Sequence, residues 1–282
     1  MSTVQAGWAP PSGPPEPAPK RPWLRWLLAV TVAWGLLLAG LTWWSVRHDP
    51  PTVREQRTLA QAVPVLNRAM GQLVTAVGDG AWALTPETVE RGCRVTPMAD
   101  GVSLSRGLDV LVPAGGERAL LERVADRLPA GWRAGVRTST DGPRLRADAG
   151  EFVAVEGRVV SGGRVRLSAD TGCRRADVEI GTLLPGYPGE QALDEALRAL
   201  ARSATGPTER AGATCPGGGA ARTVTVPAGP APVSLAALRP LAAGAPVVDT
   251  PEVYAYRRGP VVVLADATGE QLRLSASTGC AG

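Results

Sequence analysis

The chain has 282 residues, of which 44% are hydrophobic and 20% charged, and its formal net charge is +4. This apolar content is ordinary for a globular protein, so it argues against a chain that is disordered throughout. The charges outside the N-terminal region nearly balance, whereas a nucleic-acid-binding protein shows a strongly basic stripe. We therefore expect no nucleic-acid partner.

The first segment, residues 1–22, is rich in proline, glycine and alanine. Such a composition cannot bury a hydrophobic core, so we predict a disordered cytoplasmic tail. A proline-rich tail can also be a ligand for an aromatic groove of another protein. This alternative stays open beside that of a purely solvated tail.

A long apolar segment lies between Arg25 and Arg47, and it carries no formal charge. As a helix, residues 26–46 would span roughly 30 Å, the thickness of the hydrocarbon core of a bilayer. Tryptophans lie near both ends, as is typical where indole rings sit at the two membrane interfaces. We predict one transmembrane helix over residues 23–46, with the lipid bilayer as its partner.

The flanking charges predict the orientation of this helix. The basic residues that precede it are Lys20, Arg21 and Arg25. Those that follow it, Arg47 and Arg54, are each offset by a nearby acidic residue. An excess of basic residues marks the cytoplasmic side, so we expect a cytoplasmic N-terminus and an extracytoplasmic region over residues 47–282.

Two other interpretations of the apolar segment stay open. A cleaved signal peptide is one, although the apolar core is long and lacks a small-residue cleavage site. A buried core helix of a soluble domain is the other, although the segment is apolar all round. A lipoprotein is excluded, because its lipid-bearing cysteine would follow the apolar stretch and the first cysteine is Cys93.

The region after this segment contains an internal duplication. The sequence RLSADTGC at residues 166–173 returns as RLSASTGC at residues 273–280, and VPAG at residues 112–115 returns at residues 226–229. The matches keep the same order and nearly the same spacing. We therefore predict two tandem copies of one structural unit.

Each copy is predicted to be an α+β unit, over residues 47–175 and 189–282, with a linker over residues 176–188. Apolar residues at helical spacing predict helices over residues 59–77, 120–128, 193–200 and 234–241. Short apolar or alternating runs predict strands over residues 108–112, 152–155, 164–168, 223–226, 261–264 and 271–275. We expect an antiparallel sheet of three to five strands in each copy, with helices packed on one face.

The helix predicted over residues 59–77 has two interpretations. Its apolar residues keep a seven-residue step at Leu59, Leu66 and Leu73 and again at Val63, Met70 and Val77. Such a seam could form a coiled coil and make the protein a homodimer. The internal Pro64 and the shortage of flanking charges favour a core helix that docks on a sheet.

Four cysteines occupy equivalent places in the two copies: Cys93, Cys173, Cys215 and Cys280. Four cysteines allow three pairings, and the duplication selects one disulfide within each copy. Disulfides are typical of extracytoplasmic proteins, which agrees with the predicted topology. A zinc site or a redox role is the alternative, but there is no C-x-x-C pair and no histidine after His48.

The sequence offers little catalytic chemistry. His48 is the only histidine and Lys20 the only lysine, so no Ser-His-Asp, Cys-His or Ser-Lys arrangement is available after the membrane segment. A pair of carboxylates for glycoside cleavage stays open. We predict no catalytic residue, no cofactor and no metal.

Arginines are concentrated near the end of the first copy, where residues 144–175 contain seven arginines and four carboxylates. Arg164 and Arg166 share one strand face. Together with Arg144 and Arg146 they form a candidate surface for an acidic protein, lipid headgroups or an anionic wall polymer. The alternative is the solvated face of a sheet.

We therefore predict a membrane-anchored extracytoplasmic interaction module that is not an enzyme. It would be a subunit or accessory of an envelope or secretion assembly, with another envelope protein as a partner. The alternative is an envelope sensor or small-ligand-binding protein, with the ligand held between the two copies and the output passed to another protein.

Overall fold

The structure is a computed structural model that describes residues 22–48, 58–161, 163–177, 187–231 and 233–280. The chain forms two compact units, residues 1–50 and 51–282. The predicted tail over residues 1–22 lies outside the described residues, except for Pro22, and so does most of the predicted linker.

The described part of the first unit is one helix, α1 (Pro22–His48). Its segment Arg25–Trp44 is long and apolar enough to cross a membrane, and none of that segment is buried in the structure. The hydroxyls of Thr31 and Thr42 donate to carbonyls four residues earlier, each at 2.8 Å. These bonds satisfy the polar side-chain atoms within the helix itself.

The described part of the second unit contains two antiparallel sheets and three further α-helices. The first half of this unit comprises α2 (Leu59–Val77), β1 (Ala81–Leu84), β2 (Thr88–Thr96), β3 (Ala99–Leu111), α3 (Glu117–Arg127), β4 (Gly135–Ser139), β5 (Gly142–Asp148), β6 (Ala154–Ser161) and β7 (Arg164–Asp170). A 3-10 turn, Ala130–Trp132, lies before β4. The strands form sheet A in the order β1-β3-β7-β6-β5-β4, and β2 pairs with the other half of β3.

The second half of the unit forms sheet B. It comprises α4 (Glu190–Ala199), β8 (Glu209–Thr214), β9 (Ala220–Pro230), a 3-10 helix (Leu235–Leu241), β10 (Val248–Asp249), β11 (Val253–Arg258), β12 (Val261–Asp266) and β13 (Gln271–Thr278). The strand order is β10-β11-β12-β13-β9-β8. The predicted α+β class, the antiparallel sheets and the two separate sheet units are therefore confirmed.

The two sheets have the same topology. Without β1, the order from the disulfide-bearing edge is β2-β3-β7-β6-β5-β4 in sheet A and β8-β9-β13-β12-β11-β10 in sheet B. The repeated RLSA sequences lie on β7 and β13, which occupy the same place in the two orders. Six shared strands are more than the three to five expected from the sequence.

The helix α2 begins and ends with conventional caps. The Thr58 hydroxyl accepts a hydrogen bond from the Gln61 N–H, and the Gln61 side chain accepts one from the Thr58 N–H at 3.0 Å, which is a capping box. The helix ends before Gly78, whose φ of 68° suits glycine. These caps fix the helix at the bounds predicted from its apolar spacing.

The inner face of sheet A packs against α2 and α3. Alternate strand residues such as Leu108, Leu145 and Leu167 are fully buried in this layer, as the pleat of a half-buried strand requires. All but one of the seam residues of α2 are buried within the unit. In this structure α2 is a core helix, and homodimerisation through residues 59–77 stays a prediction.

The two faces of sheet B pack against different elements. One face packs against α4 and the 3-10 helix and buries Leu193, Leu238, Tyr254 and Tyr256. The other face packs against sheet A, in a small apolar cluster that joins strand β1 to strands β11 and β12. The members of this cluster are Ala81, Ala83, Leu111, Val253, Ala255 and Leu264.

The free edge of β1 is closed by hydroxyl groups of sheet B. The Leu84 N–H donates to the Thr223 hydroxyl at 3.0 Å, and the Ser277 hydroxyl donates to the Trp82 carbonyl at 2.9 Å. The Thr223 and Ser277 hydroxyl oxygens lie 2.9 Å apart. Because the Ser277 hydroxyl already donates to Trp82, the Thr223 hydroxyl donates to Ser277 and links the two contacts in one hydroxyl relay. This side-chain relay replaces the ladder of a neighbouring strand and protects an otherwise open edge.

The helix α2 also contacts both sheets. Gly71 lies directly over the end of β8, where a Cβ atom would overlap the Thr214 carbonyl oxygen and lie 3.2 Å from the Cys215 Cα. Ala213, Cys215 and Ala221 of the second half are buried in the same cluster as α2. The helix α2 therefore packs against both halves of the unit.

The two predicted disulfides are confirmed. Cys93 on β2 pairs with Cys173 after β7, and Cys215 after β8 pairs with Cys280 after β13. Each disulfide joins the edge strand of its sheet to the chain beyond the strand that bears the repeated sequence.

One strand begins two residues later than predicted. Residues 152–155 were expected to form a strand, but Phe152 lies in a turn with a φ of 58° and is 40% exposed. The strand β6 begins at Ala154 instead. The apolar run is short, and the preceding Gly150 and Glu151 also have positive φ, so the turn extends into it.

Candidate binding surface

The outer face of sheet A is divided into a covered half and an open half. Strands β1, β3 and β7 lie under sheet B, and Asp109, Arg164 and Arg166 line the cleft between the sheets. Strands β4, β5 and β6 extend beyond this cover, and their outward side chains are largely exposed.

Four arginines cross this face in register. Arg137 on β4 is paired with Arg144 on β5, Arg144 with Arg158 on β6, and Arg158 with Arg166 on β7. Side chains directly opposite each other in an antiparallel sheet lie about 5 Å apart at their Cβ atoms. We call these four residues the arginine row.

A groove lies at the β4 end of the row. It has a volume of about 440 Å³ and is lined by Arg133, Arg137, Arg144 and Arg146, together with Gly135, Thr138 and Ser139. Gly135 is paired with Arg146 and has no side chain to fill the space beside it. We call this feature the arginine groove.

The groove and the open part of the row have few compensating charges. Arg144 donates to the exposed carboxylate of Asp141 at 2.8 Å, whereas Arg146 lies 3.7 Å from Glu156 and Arg133 lies 3.9 Å from Asp148. Exposed ion pairs of this kind contribute little energy.

Two arginines of the row have no carboxylate within ion-pair distance among the described residues. Arg137 and Arg158 are both exposed. The Nε–H of Arg144 is buried and lacks an acceptor in the same part of the chain. The open half of sheet A therefore presents guanidinium groups with unused donors.

The two arginines covered by sheet B, Arg164 and Arg166, are each paired with a carboxylate. Arg166 makes two hydrogen bonds of 2.7 Å to the Asp109 carboxylate, and Arg164 forms an ion pair with Asp266 of sheet B. The hydrogen bond to Asp109 raises the pKa of Arg166. Burial would raise the pKa of Asp266, but hydrogen bonds from Thr268 and Arg164 lower it overall.

The cleft between the sheets has a volume of about 310 Å³. Besides the two pairs above it contains Arg273, which lies 2.6 Å from Glu209, and the hydroxyl pair of Thr225 and Ser275. Because its charges already neutralise one another, a charged ligand could bind there only by displacing an internal ion pair.

Of the predicted surface, Arg144 and Arg146 thus lie in the open groove, whereas Arg164 and Arg166 lie in or beside the cleft. Arg133, Arg137 and Arg158 were not predicted as part of this surface. The signal was present: Arg144 and Arg146 alternate after Asp141-Gly142, and Arg133 and Arg137 lie at even spacing before it, as in a hairpin with one charged face. The inward apolar residues of this hairpin are Val136, Leu145 and the small Ala147, so its apolar pattern was too weak to predict strands.

Arg174 was also missed, and its role is structural. Its side chain is fully buried and donates to the Thr171 carbonyl at 2.7 Å and to the Glu151 carbonyl at 2.8 Å. A third bond of 3.2 Å reaches the Phe152 carbonyl. This arginine therefore holds the positive-φ turn before β6.

The described residues offer little acid–base or metal chemistry. They contain no group of three or more histidine, cysteine, aspartate or glutamate side chains placed to hold a metal ion. Burial raises the pKa of Tyr256 to about 12, but its ring lies among apolar side chains of sheet B. Within the described chain, the arginine groove and row are the strongest candidates for a functional surface.

The chain has a weak likeness to a solved structure. No protein-family model matches the sequence, and no curated protein matches it. A crystal structure of a DUF4853 family protein from Actinomyces odontolyticus is similar, with a TM-score of 0.38 and 11% sequence identity. The match covers 62% of this chain and 97% of that protein.

Proposed function

We propose that the protein is a single-pass, membrane-anchored interaction module with a cytoplasmic N-terminus and an extracytoplasmic C-terminal unit. It acts without catalysis, as a subunit or accessory of an envelope or secretion assembly. The two sheets derive from a duplicated unit, of which one copy offers the binding surface and the other supports it.

Three features support the topology. The helix α1 contains a segment long and apolar enough to cross a bilayer. Basic residues are in excess on its N-terminal side. All four cysteines are in disulfides, which form in oxidising compartments outside the cytoplasm.

The observation that carries the binding role is the open half of sheet A. A sheet face that is not packed against other elements and bears uncompensated arginines suits a charged partner better than it suits folding stability. The other large faces of both sheets are packed against helices or against each other.

The topology is tested with reporters fused to the C-terminus of the full-length protein. An alkaline phosphatase fusion should be active and a β-galactosidase fusion inactive, because the former needs an oxidising compartment. The reverse result would contradict the extracytoplasmic location.

The binding role is tested by photo-crosslinking in cells. A crosslinking amino acid at the exposed Val160, on the open face, should capture an envelope component reproducibly. The same group at Ala236, exposed on the 3-10 helix of sheet B, is the matched control. Equal products from the two positions, or none from Val160, would contradict a specific role for the open face.

The cleft between the sheets supports a second candidate, an envelope protein that holds a small ligand. Its volume of about 310 Å³ lies at the lower end of the range for small-molecule sites. Co-purified ligand that is lost on Arg273→Gln but kept on Arg137→Gln would favour this candidate over the open face.

A further inference from the structure

We infer that the arginine groove and row bind an extended phosphodiester polymer outside the membrane. This inference rests on the proposed function, because it identifies the chemistry of the partner that the open face of sheet A would recognise. The occupant is a flexible chain with anionic phosphates at regular intervals, such as a poly(glycerol phosphate).

The first step is the arrangement of like charges. Arg137, Arg144, Arg158 and Arg166 are neighbours on four successive strands, and only Arg166 is fully engaged by a carboxylate. Like charges directly opposite each other in a sheet destabilise it. An anion that lies along the row would relieve this repulsion, so the row favours a bound anion.

The second step is the size of the ligand. Neighbouring strands are about 4.8 Å apart, so the open part of the row, from β4 to β6, extends over about 10 Å. A single small anion could contact only one or two of these guanidinium groups. A linear polyanion can engage the three open arginines of the row and continue along the arginine groove, and linked contacts raise affinity by their effective concentration.

The third step is the chemistry of the anion. Guanidinium groups bind phosphate through two parallel N–H···O bonds, and the Thr138 hydroxyl beside the groove can also donate. Arg137 and Arg158 have no carboxylate partner among the described residues, so their donors are available. A phosphate on every repeat of the polymer suits this series of donors.

The open face of sheet A also lacks the residue types that bind proteins or nucleic-acid bases. No aromatic residue lies on β4, β5 or β6. Protein partners usually need aromatic or other large anchors in a buried patch, and single-stranded nucleic acids are held by stacking on aromatic rings. The face is therefore better suited to a polymer recognised through its backbone charges than to a folded protein or to bases.

The experiment uses full-length protein in phosphatidylcholine nanodiscs and a fluorescent poly(glycerol phosphate) of defined length. Fluorescence anisotropy should show binding that weakens steeply as salt rises, because counterions are released from the polymer. The double variant Arg137→Gln/Arg158→Gln should weaken binding at least tenfold. Its salt dependence should also be shallower, by about 1.5 in the slope of log K against log salt, because two phosphate contacts are lost.

The matched control is Arg123→Gln/Arg198→Gln, which removes the same charge from exposed sites on α3 and α4. It should change the affinity less than twofold. All four arginines are exposed, so neither variant should lower the melting temperature, and loss of like-charge repulsion in the row should if anything raise it. Equal weakening by the two double variants would overturn the site, because it would show that net charge alone drives binding.

Three competitors identify the chemistry of the occupant. Inorganic phosphate at equal phosphate concentration should displace the polymer poorly. Displacement by poly-glutamate as effective as by unlabelled polymer would replace the inference with an acidic protein partner. Tight binding of the nanodiscs to phosphatidylglycerol vesicles, abolished by Arg137→Gln/Arg158→Gln, would replace it with a lipid surface.

Failure of this inference can be distinguished from failure of the proposed function. Absence of polymer binding, together with a specific crosslink from Val160, would overturn only the identity of the ligand. A C-terminus found in the cytoplasm would overturn the proposed function, whatever the polymer binding in vitro.

Discussion

At the scale of single residues, the contact between the two sheets depends on hydroxyl groups that no sequence pattern marks. Thr223 and Ser277 are almost fully buried, and both are needed to satisfy the free edge of β1. A second buried pair, Thr225 and Ser275, lies two residues further along the same strands and bonds only to itself among the described residues. Substitutions in the two pairs should therefore have different effects on stability.

Replacing Thr223 by valine should destabilise the protein by about 1–3 kcal/mol, because the buried Leu84 N–H loses its acceptor. The control Thr225→Val/Ser275→Ala removes both partners of the other pair and leaves no backbone group unpaired, so it should be close to neutral. Urea unfolding of the full-length protein in detergent measures both. A Thr223→Val variant as stable as the control would contradict the role of the relay.

The pKa of Asp266 predicts a pH dependence of stability. Burial opposes ionisation, but Thr268 and Arg164 hold the pKa below its ordinary value of 3.8. The pair with Arg164 therefore stabilises the fold fully above this ordinary value, and the stabilisation is lost as the pH falls through the folded-state pKa. The melting temperature of the wild type should fall more steeply than that of Asp266→Asn as the pH is lowered below about 3.8.

The matched control for this pH series is Asp141→Asn, since the Asp141 carboxylate is exposed in the β4–β5 turn. This control should follow the wild-type curve. An Asp266→Asn curve parallel to that of the wild type would show that the inter-sheet pair does not contribute to acid sensitivity.

At the scale of elements, the bounds of α2 are predicted well from the sequence, but its contact with sheet B is not. Its apolar spacing fixes its bounds, but its contact with β8 depends on Gly71, which the heptad pattern does not include. A glycine inside a helix costs about 1 kcal/mol relative to alanine, so its presence needs a packing reason. The close approach of the Thr214 carbonyl provides one.

We therefore expect Gly71→Ala to destabilise the protein by about 1–3 kcal/mol, despite the better helix propensity of alanine. A Cβ atom there would overlap the Thr214 carbonyl oxygen and lie 2.8 Å from its carbon, which would push α2 away from sheet B. Gly217→Ala is the control, because a Cβ atom at Gly217 meets open space. A stabilised Gly71→Ala variant in thermal unfolding would show that the contact is loose.

The β4–β5 hairpin shows why part of the candidate surface was missed. Its strands have one or two inward apolar residues each, so periodicity predicts no strand there. The arginines of the sequence-based surface were grouped by their nearness in the chain. The tertiary structure groups them by strand register instead, which adds Arg133, Arg137 and Arg158 to the open face and assigns Arg164 to the cleft.

At the scale of the whole molecule, the two disulfides occupy equivalent positions in the two sheets but differ in burial. Their sequence separations are 80 and 65 residues, so the chain-entropy model gives each about 4 kcal/mol. Cys215 is 5% exposed and packs in the core beside α2, whereas Cys93 lies on the largely exposed strand β2. The difference between them should therefore come from packing.

The variant Cys215→Ala/Cys280→Ala should have a lower melting temperature than Cys93→Ala/Cys173→Ala. Removal of the buried pair also leaves a cavity beside Gly71. Differential scanning calorimetry of the two variants measures the difference. A lower melting temperature for the Cys93→Ala/Cys173→Ala variant would mean that the β2–β3 hairpin contributes more than its exposure indicates.

The sequence by itself determined the apolar helix, the α+β class, the disulfide pairing and the places of the matching strands. Each of these follows from a local pattern: charge-free length, helical spacing, strand alternation or repeated order. Only the tertiary structure decided how the halves combine, because the hydroxyl relay, the Gly71 contact and the inter-sheet ion pairs join residues far apart in the chain. It also decided which arginines are free, because strand register and the cover of sheet B determine whether a guanidinium meets a carboxylate or solvent.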